Sequence, residues 1–147
     1  MPDERILAID STSSLMPAAY AVRHRVFVDE QQVPPALERD AFDDVAIHLV
    51  ALRGDEVIGT LRIVVSGGSA KIGRMAVLAS ARKSGVGARL MQRAAEVAQT
   101  MGVRDITLHA QLTAKEFYAR LGYREEGEAF DEAGIAHVSM RKSIAQS

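Results

Sequence analysis

Residues 75–90 read MAVLASARKSGVGARL: an apolar strand-like run, a short polar loop and the start of an amphipathic helix. The loop carries Arg82, Lys83, Gly85 and Gly87. The first amides of a helix have no acceptor inside the helix, and the helix dipole adds positive potential at this end. Because glycines keep side chains out of the turn, this stretch predicts an anion-binding site suited to a pyrophosphate.

Two common phosphate-binding loops do not fit this stretch. A Walker A loop has Lys and then Ser or Thr directly after its second glycine, whereas Val86 and Ala88 follow the glycines here. A dinucleotide fingerprint ends in a third Gly or Ala, but the corresponding residue is Leu90. A helix start whose glycines serve only the turn stays open as the alternative. A nucleotide kinase is therefore disfavoured, because this loop lacks the lysine with which such an enzyme binds phosphate.

The hydrophobic periodicity on both sides of this loop predicts one mixed α/β domain over residues 1–147. Residues 85–101 form the clearest amphipathic helix. Thr113 and Glu116 have capping-box spacing, so a second helix is expected from Thr113 to Leu121. The remaining predicted elements are strands at 5–9, 46–53, 56–65, 70–78 and 103–109, a helix at 15–28, an acidic loop at 29–45 and a hairpin of 123–130 with 135–140.

Composition narrows the classes of function. The 18 Lys and Arg nearly balance the 19 Asp and Glu, which disfavours nucleic-acid binding as the main activity. The absence of Cys excludes disulfides, thiolate metal sites and a cysteine nucleophile. The four His show no metal-ligand spacing, so we expect no metal. No apolar run could span a bilayer and no signal peptide is visible, so we expect a cytoplasmic protein without a membrane partner.

Two motifs resemble those of the GCN5-related N-acetyltransferases (GNAT family). Arg82-x-x-Gly85-x-Gly87 is similar to the family's motif for the pyrophosphate of coenzyme A. Gln111-x-x-Ala114-x-x-Phe117-Tyr118-x-x-x-Gly122-Tyr123 resembles a second motif, with Gln in place of Asn and Tyr in place of Phe. Together with residues 22–31 and 48–50, the motifs look most like the ElaA-like branch of the family.

The resemblance implies a fold and a reaction. The family fold has a central, mostly antiparallel mixed sheet of about six to seven strands flanked by helices. The reaction is transfer of an acetyl group from acetyl-CoA to a primary amine of a small molecule or peptide. In the family the pantetheine arm lies in a V-shaped gap between two strands. By resemblance, the residues that bind acetyl-CoA are Met75, Ala76, Val77, Arg82, Lys83, Ser84, Gly85, Val86, Gly87, Ala88, Gln111 and Phe117.

Catalytic groups follow in part from the residues themselves. With no Cys and no Gly-x-Ser-x-Gly elbow, the chain favours direct transfer over an acyl-enzyme. By resemblance, Tyr118 protonates the leaving thiolate; a phenol with a pKa of ~10 suits a thiol of ~8.5. A backbone N–H near Val77 would hold the oxyanion, again by resemblance. The base that deprotonates the amine stays open among five residues, which are Glu30, Asp40, Asp44, His48 and His109.

The segment from Asp29 to Asp44 carries six carboxylates. In the family, this region lines the acceptor side, so the acidic charge predicts a cationic acceptor such as a polyamine or a basic peptide. A solvated acidic loop is the alternative. Two further expectations are a homodimer through strands near the C-terminus, by analogy with the family, and, as the alternative to an enzyme, a catalytically silent sensor of acyl-CoA.

Overall fold

The computed structural model describes residues 3–144, which form a seven-stranded mixed sheet with helices on both faces. The strands are β1 (Glu4–Ile9), β2 (Ile47–Arg53), β3 (Glu56–Ser66), β4 (Ser69–Val77), β5 (Asp105–Gln111), β6 (Arg124–Glu132) and β7 (Ile135–Ser143). The α-helices are α1 (Met16–Arg23), α2 (Pro35–Glu38), α3 (Val86–Thr100) and α4 (Lys115–Arg120). A π-helical segment, His24–Glu30, continues α1, and 3₁₀ turns cover Ala41–Asp44, Ala79–Ala81 and Leu112–Ala114.

The strands lie in the order β1-β2-β3-β4-β5-β7-β6. All neighbours are antiparallel except β4 and β5, which are parallel. The parallel pair is short, because Ser69–Ile72 pair with Asp105–Leu108 and the strands then separate. The sheet is therefore split at its centre, as the resemblance implied.

Two hydrophobic layers enclose the sheet. On one face, α3 buries Val86, Leu90, Met91, Ala94 and Ala98 in a core that includes Leu61, Ile63, Ile106 and Leu108. On the other face, α1 buries Met16, Ala19 and Val22 against Val50, Leu52 and Val57. Gly59 on β3 allows α3 to approach closely, since a Cβ there would lie 3.1 Å from Leu90 Cδ1 and 3.3 Å from Val86 Cγ1.

The predicted strands and the long helix are confirmed, with ends that mostly differ by one residue or none and by three residues at most. Two predictions are wrong. The helix expected over 15–28 becomes π-helical from His24 onwards. The expected capping box at Thr113 and Glu116 does not form, because residues 112–114 leave β5 as a 3₁₀ turn and α4 begins only after Ala114, without a side-chain cap.

Strand β6 forms one edge of the sheet and is almost fully exposed. Its pairing with β7 is interrupted between Glu126 and Phe130. Bulges and acidic side chains such as Glu125 and Glu128 discourage pairing between edges. The edge itself therefore gives no support to the expected dimer. No helix within residues 3–144 combines the length and the apolar character that crossing a membrane requires.

Candidate active site in the gap between β4 and β5

The separation of β4 from β5 opens a cavity of about 1050 Å³ that reaches both faces of the sheet. Its walls come from β4, β5, α4, the π-helical segment and the loop before α3. Because β4 and β5 pair only as far as Ile72 and Leu108, residues 73–77 have no strand partner on the β5 side. Backbone groups along this edge are thus available to a ligand that lies along it like an added strand.

The loop before α3 presents a run of amides without acceptors. The first backbone bond of α3 runs from the Arg89 N–H to the Gly85 carbonyl at 3.0 Å. Within residues 3–144, the amides of residues 83–88 donate to no protein acceptor outside regular helix and strand bonding. Lys83 and Gly85 have φ values of +65° and +87°, which turn this loop sharply into the helix. The segment has the form of an anion site at a helix N-terminus.

Gly87 keeps this site open. A Cβ at Gly87 would lie 3.4 Å from Phe117 Cζ and 3.8 Å from Met75 Cε, so a larger side chain would fill space between the loop, α4 and β4. Ser84 does not line the cavity, and its Oγ donates to the Ala81 carbonyl at 2.5 Å, so its backbone amide alone is available for the predicted role. The other residues predicted for the loop, from Arg82 to Ala88, line the cavity.

Strand β4 carries a bulge where it lines the gap. Thr60 pairs with Ala76 and Arg62 pairs with Gly73, so β4 has one more residue than β3 in this interval. Arg74, within the bulge, has a φ of +52°. A bulge of this kind bends the strand and re-aims its backbone groups. The predicted residues Met75, Ala76 and Val77 lie just beyond it and line the cavity.

Two side-chain hydrogen bonds join Glu30, at the end of the π-helical segment, and the next residue, Gln31, to the other wall of the cavity. Arg82 donates to Glu30 Oε1 at 2.6 Å, and its Nε donates to the Val77 carbonyl at 2.9 Å. Gln111 Nε2 donates to Gln31 Oε1 at 2.8 Å. Glu30, which the sequence offered as a possible base, is thus paired with a guanidinium.

Tyr118 on α4 lines the cavity and is half-buried. Its ring meets Phe117 edge-to-face at 5.0 Å and Tyr123 at 6.2 Å between centroids. Burial raises the pKa of Tyr118 to about 12, so the phenol is protonated at neutral pH. The Tyr118 hydroxyl makes no hydrogen bond within residues 3–144. Every buried polar side-chain atom in that range has a hydrogen-bond partner, so the Tyr118 hydroxyl oxygen is not among the buried atoms and is accessible.

The acidic segment does not form a free negative surface, so its charge gives little support to the expected cationic acceptor. Buried Glu38 and Asp43 each bind Arg23 at 2.7 Å. Asp40 binds Arg62 at 2.7 Å. Arg74 lies 3.4 Å from Glu38 and 3.3 Å from Asp40. Three guanidiniums from α1, β3 and β4 thus neutralise three carboxylates of this segment.

The remaining residues considered as possible bases differ in whether they line the cavity. His48 is buried, its Nε2 lies 2.9 Å from the Asp43 carbonyl, and neither it nor exposed Asp44 lines the cavity. Asp40 lines the cavity but is held by Arg62. His109 lines the cavity and its Nδ1 is 2.8 Å from Glu132 Oε1. Within residues 3–144, no three His, Asp or Glu side chains form a group that could hold a metal ion.

Four further residues that line the cavity were not predicted from the sequence. Glu132 and His137 come from the β6–β7 hairpin, and Arg62 and Arg74 come from β3 and β4. No spacing along the chain links them, because the strand register of the folded sheet brings them together.

Comparisons with known proteins agree with this geometry. The family model described as "Acetyltransferase (GNAT) domain" matches residues 10–144. The uncharacterized N-acetyltransferase YjcF of Bacillus subtilis is 38% identical over 125 residues, which cover 84% of this chain and 89% of that protein. The crystal structure of an acyl-CoA N-acyltransferase from Pseudomonas aeruginosa is similar with a TM-score of 0.86 and 30% identity, covering 95% of this chain and 99% of that chain. The structure of Escherichia coli ElaA is similar with a TM-score of 0.82 and 28% identity, covering 97% and 99%.

Proposed function

The chain belongs to the GNAT acetyltransferase family, in its ElaA-like branch, and is an acyltransferase; from this premise we propose that it transfers the acetyl group of acetyl-CoA directly to a primary amine of a small molecule or peptide. The observation that carries the proposal is the split between β4 and β5, which has amides without acceptors at one end and the Tyr118 phenol on its wall.

The residues of the gap fit coenzyme A. The amides of residues 83–88 and the side chains of Arg82 and Lys83 would hold the diphosphate. The free edge of residues 73–77 would pair with the amides of the pantetheine arm, while Gln111 and Phe117 would contact the arm from the opposite wall. When bound, acetyl-CoA supplies an acetyl group already activated as a thioester.

Tyr118 supplies the proton that the departing sulfur needs. Its raised pKa, about 12, keeps the phenol protonated at neutral pH. Its accessible hydroxyl faces no competing acceptor within residues 3–144. Beyond the bulge in β4, a backbone amide near Val77 would stabilise the charge that develops on the carbonyl oxygen.

The mouth of the cavity supports an acceptor with an apolar body. Leu37 and Phe42 line the cavity and remain 54% and 56% exposed, so they offer apolar contact surface at its mouth. The carboxylates beside them are neutralised by Arg62 and Arg74. A polycation therefore finds little uncompensated charge there, whereas a single amine on an alkyl or aryl group finds an apolar contact surface.

The experiment is a thiol-release assay with acetyl-CoA and a panel of alkylamines, arylalkylamines, polyamines, amino sugars and short peptides, with each product identified by mass spectrometry. The proposal predicts an N-acetylated product for at least one primary amine. A catalytically silent sensor is the alternative. It predicts that calorimetry detects coenzyme A binding while no amine in the panel is acetylated.

A further inference from the structure

The position of His109 relative to the split in the sheet suggests a role in the proposed reaction. His109 is the first residue of β5 beyond the last pair with β4, which is Ile72 with Leu108. Both residues of that pair belong to the core on the α3 face. Since side chains alternate along a strand, His109 lies on the opposite face, the one that carries α1 and the acidic segment.

The space beside His109 is open. The residue at the corresponding position on β4 is Gly73, and a Cβ there would meet only Arg62 Nε, at 4.0 Å. Both Gly73 and His109 line the cavity. The floor of the cavity next to the imidazole therefore has room for a small group, at the place where the free edge of β4 begins.

Glu132 sets the orientation and the tautomer of this imidazole. Its carboxylate lies 2.8 Å from His109 Nδ1, and Phe130 packs edge-to-face on the ring at 4.9 Å. Burial tends to raise the pKa of Glu132, but the His109 hydrogen bond and the charges of His109, His137 and Lys71 lower it overall. Because an ionised carboxylate only accepts hydrogen bonds, Nδ1 of the paired imidazole carries a proton, and in the neutral ring the lone pair therefore lies on Nε2.

Other groups near the imidazole are already engaged. His137 on β7 has Nδ1 at 2.7 Å from the Ile135 carbonyl, and its Nε2 is 3.8 Å from Glu132 Oε2. Lys71 on β4 contributes positive charge near Glu132. Within residues 3–144, His109 Nε2 has no hydrogen-bond partner, so it is the proton acceptor that this wall of the cavity leaves available.

We propose that the acceptor amine sits beside Gly73 and gives its proton to Nε2 of His109. This inference rests on the proposed acetyl transfer. The amine nitrogen forms a bond to the thioester carbonyl carbon, and the bond between that carbon and sulfur breaks. An acceptor that binds as an ammonium ion first gives one proton to Nε2, which releases it to solvent. After the neutral nitrogen has attacked, it loses a second proton to Nε2, and the sulfur takes one proton from Tyr118. Glu132 stabilises the imidazolium that results, and solvent carries the proton from the imidazolium back to the phenolate.

The test compares wild type, His109→Gln and Glu132→Gln on primary amines of graded basicity, with acetyl-CoA as donor. His109→Gln should lower kcat/KM by about 10²–10⁴-fold for strongly basic amines. The loss should be much smaller for amines that are already neutral at the assay pH. The acid limb of the pH profile should vanish in His109→Gln and move to lower pH in Glu132→Gln, because removing a neighbouring negative charge disfavours the imidazolium.

A second measurement needs no variant. Nitrogen NMR of the wild-type imidazoles should show His109 as the Nδ1–H tautomer at neutral pH. An Nε2–H tautomer would overturn the inference, as would an unchanged pH profile and kcat/KM in a folded His109→Gln. Either result leaves the proposed acetyl transfer standing if wild type still acetylates amines. Failure of wild type on the whole panel would overturn both.

Discussion

Burial, rather than a hydrogen bond, keeps the Tyr118 phenol protonated in the gap. A phenol in water already holds its proton at neutral pH, and removal from water penalises the phenolate further. The pKa of Tyr118 rises to about 12 for this reason alone. A neighbouring cation would have lowered that pKa, and none of the cations within residues 3–144 contributes to it.

Replacement of Tyr118 by Phe should lower kcat by about 10²–10⁴-fold, the range for a positioned acid, because the departing sulfur loses its proton donor. The affinity for coenzyme A, measured by calorimetry, should stay nearly constant. Tyr123→Phe is a matched control, since Tyr123 packs against Tyr118 but does not line the cavity. Equal turnover in the two variants would remove Tyr118 from the mechanism.

The sequence predicted the site residues that belong to local motifs, but it did not predict those that only the pairing of strands brings together. Tyr118 and the loop residues were identified by their resemblance to family motifs, and all of them except Ser84 line the cavity. His109 and Glu132 are 23 positions apart and meet only because β5, β7 and β6 are neighbours. The sequence also could not show that arginines neutralise Asp40 and Asp43, because those arginines lie on other elements.

The start of α3 is the element on which donor binding depends. Gly85 is its N-cap and has a φ of +87°, a conformation that Asn tolerates better than most other residues. Gly85→Asp should weaken coenzyme A binding by at least about tenfold (~1.4 kcal/mol), because a carboxylate enters a site for a diphosphate. Gly85→Asn is the control of equal size without the charge, and it should bind much closer to wild type by calorimetry.

Comparable binding by the aspartate and asparagine variants would show that the diphosphate is not held at this helix start. In both variants, the Arg89 guanidinium must move, since its Nη1 lies 2.6 Å from the position of the new Cβ. That adjustment is common to the pair, so only the charge separates them.

The contact of α3 with β3 makes a separate prediction about stability. In Gly59→Ala the new methyl group would press on Leu90, Val86 and the Ala76 carbonyl, at 3.1–3.3 Å. Overpacking of this kind costs about 1–3 kcal/mol in the free energy of unfolding. Gly73→Ala on β4 is the control, because its Cβ meets only Arg62 Nε at 4.0 Å. Urea denaturation of the two variants should separate them; equal midpoints would contradict the close packing.

Most elements were predictable because their hydrophobic period is strong, as in α3 and in strands β2 to β5. The exceptions are places where tertiary contacts override local signals. The π-helical segment His24–Glu30 places Glu30 and Gln31 within hydrogen-bond distance of Arg82 and Gln111. Hydrophobic periodicity does not predict such a segment, because these contacts come from other elements. The same holds for the bulge in β4, which is visible only in the pairing register.

Across the whole molecule, the arginine network joins α1, the acidic segment and the centre of the sheet. Asp43 is its hub, with Arg23 at 2.7 Å and Arg62 at 2.9 Å. Asp43→Asn should lower the free energy of unfolding by about 1.5–3 kcal/mol, because Arg23 and Arg62 each lose one of their two carboxylate partners. Asp44→Asn, its exposed neighbour in the same turn, should change it by less than about 0.5 kcal/mol.

The same network predicts how stability depends on pH. Burial opposes ionisation of Asp43, but bonds from Arg23, the Asp40 amide and Arg62 lower its pKa in the fold, and Arg62 lowers that of Asp40. A lowered folded-state pKa stabilises the protein above the unfolded value, near 3.9 for Asp, and this contribution is lost as pH falls further. Urea midpoints should therefore drop as pH falls below about 4. A flat profile there would contradict the network.

The central claim is that the split between β4 and β5 holds coenzyme A, with its diphosphate at the start of α3. A crystal structure of the protein with coenzyme A tests this claim most directly. The account predicts diphosphate oxygens on the amides of residues 83–88, the pantetheine arm along residues 73–77 and its sulfur near the Tyr118 hydroxyl. Density that places the diphosphate away from this loop, or a gap closed by side chains with the ligand bound elsewhere, would contradict it.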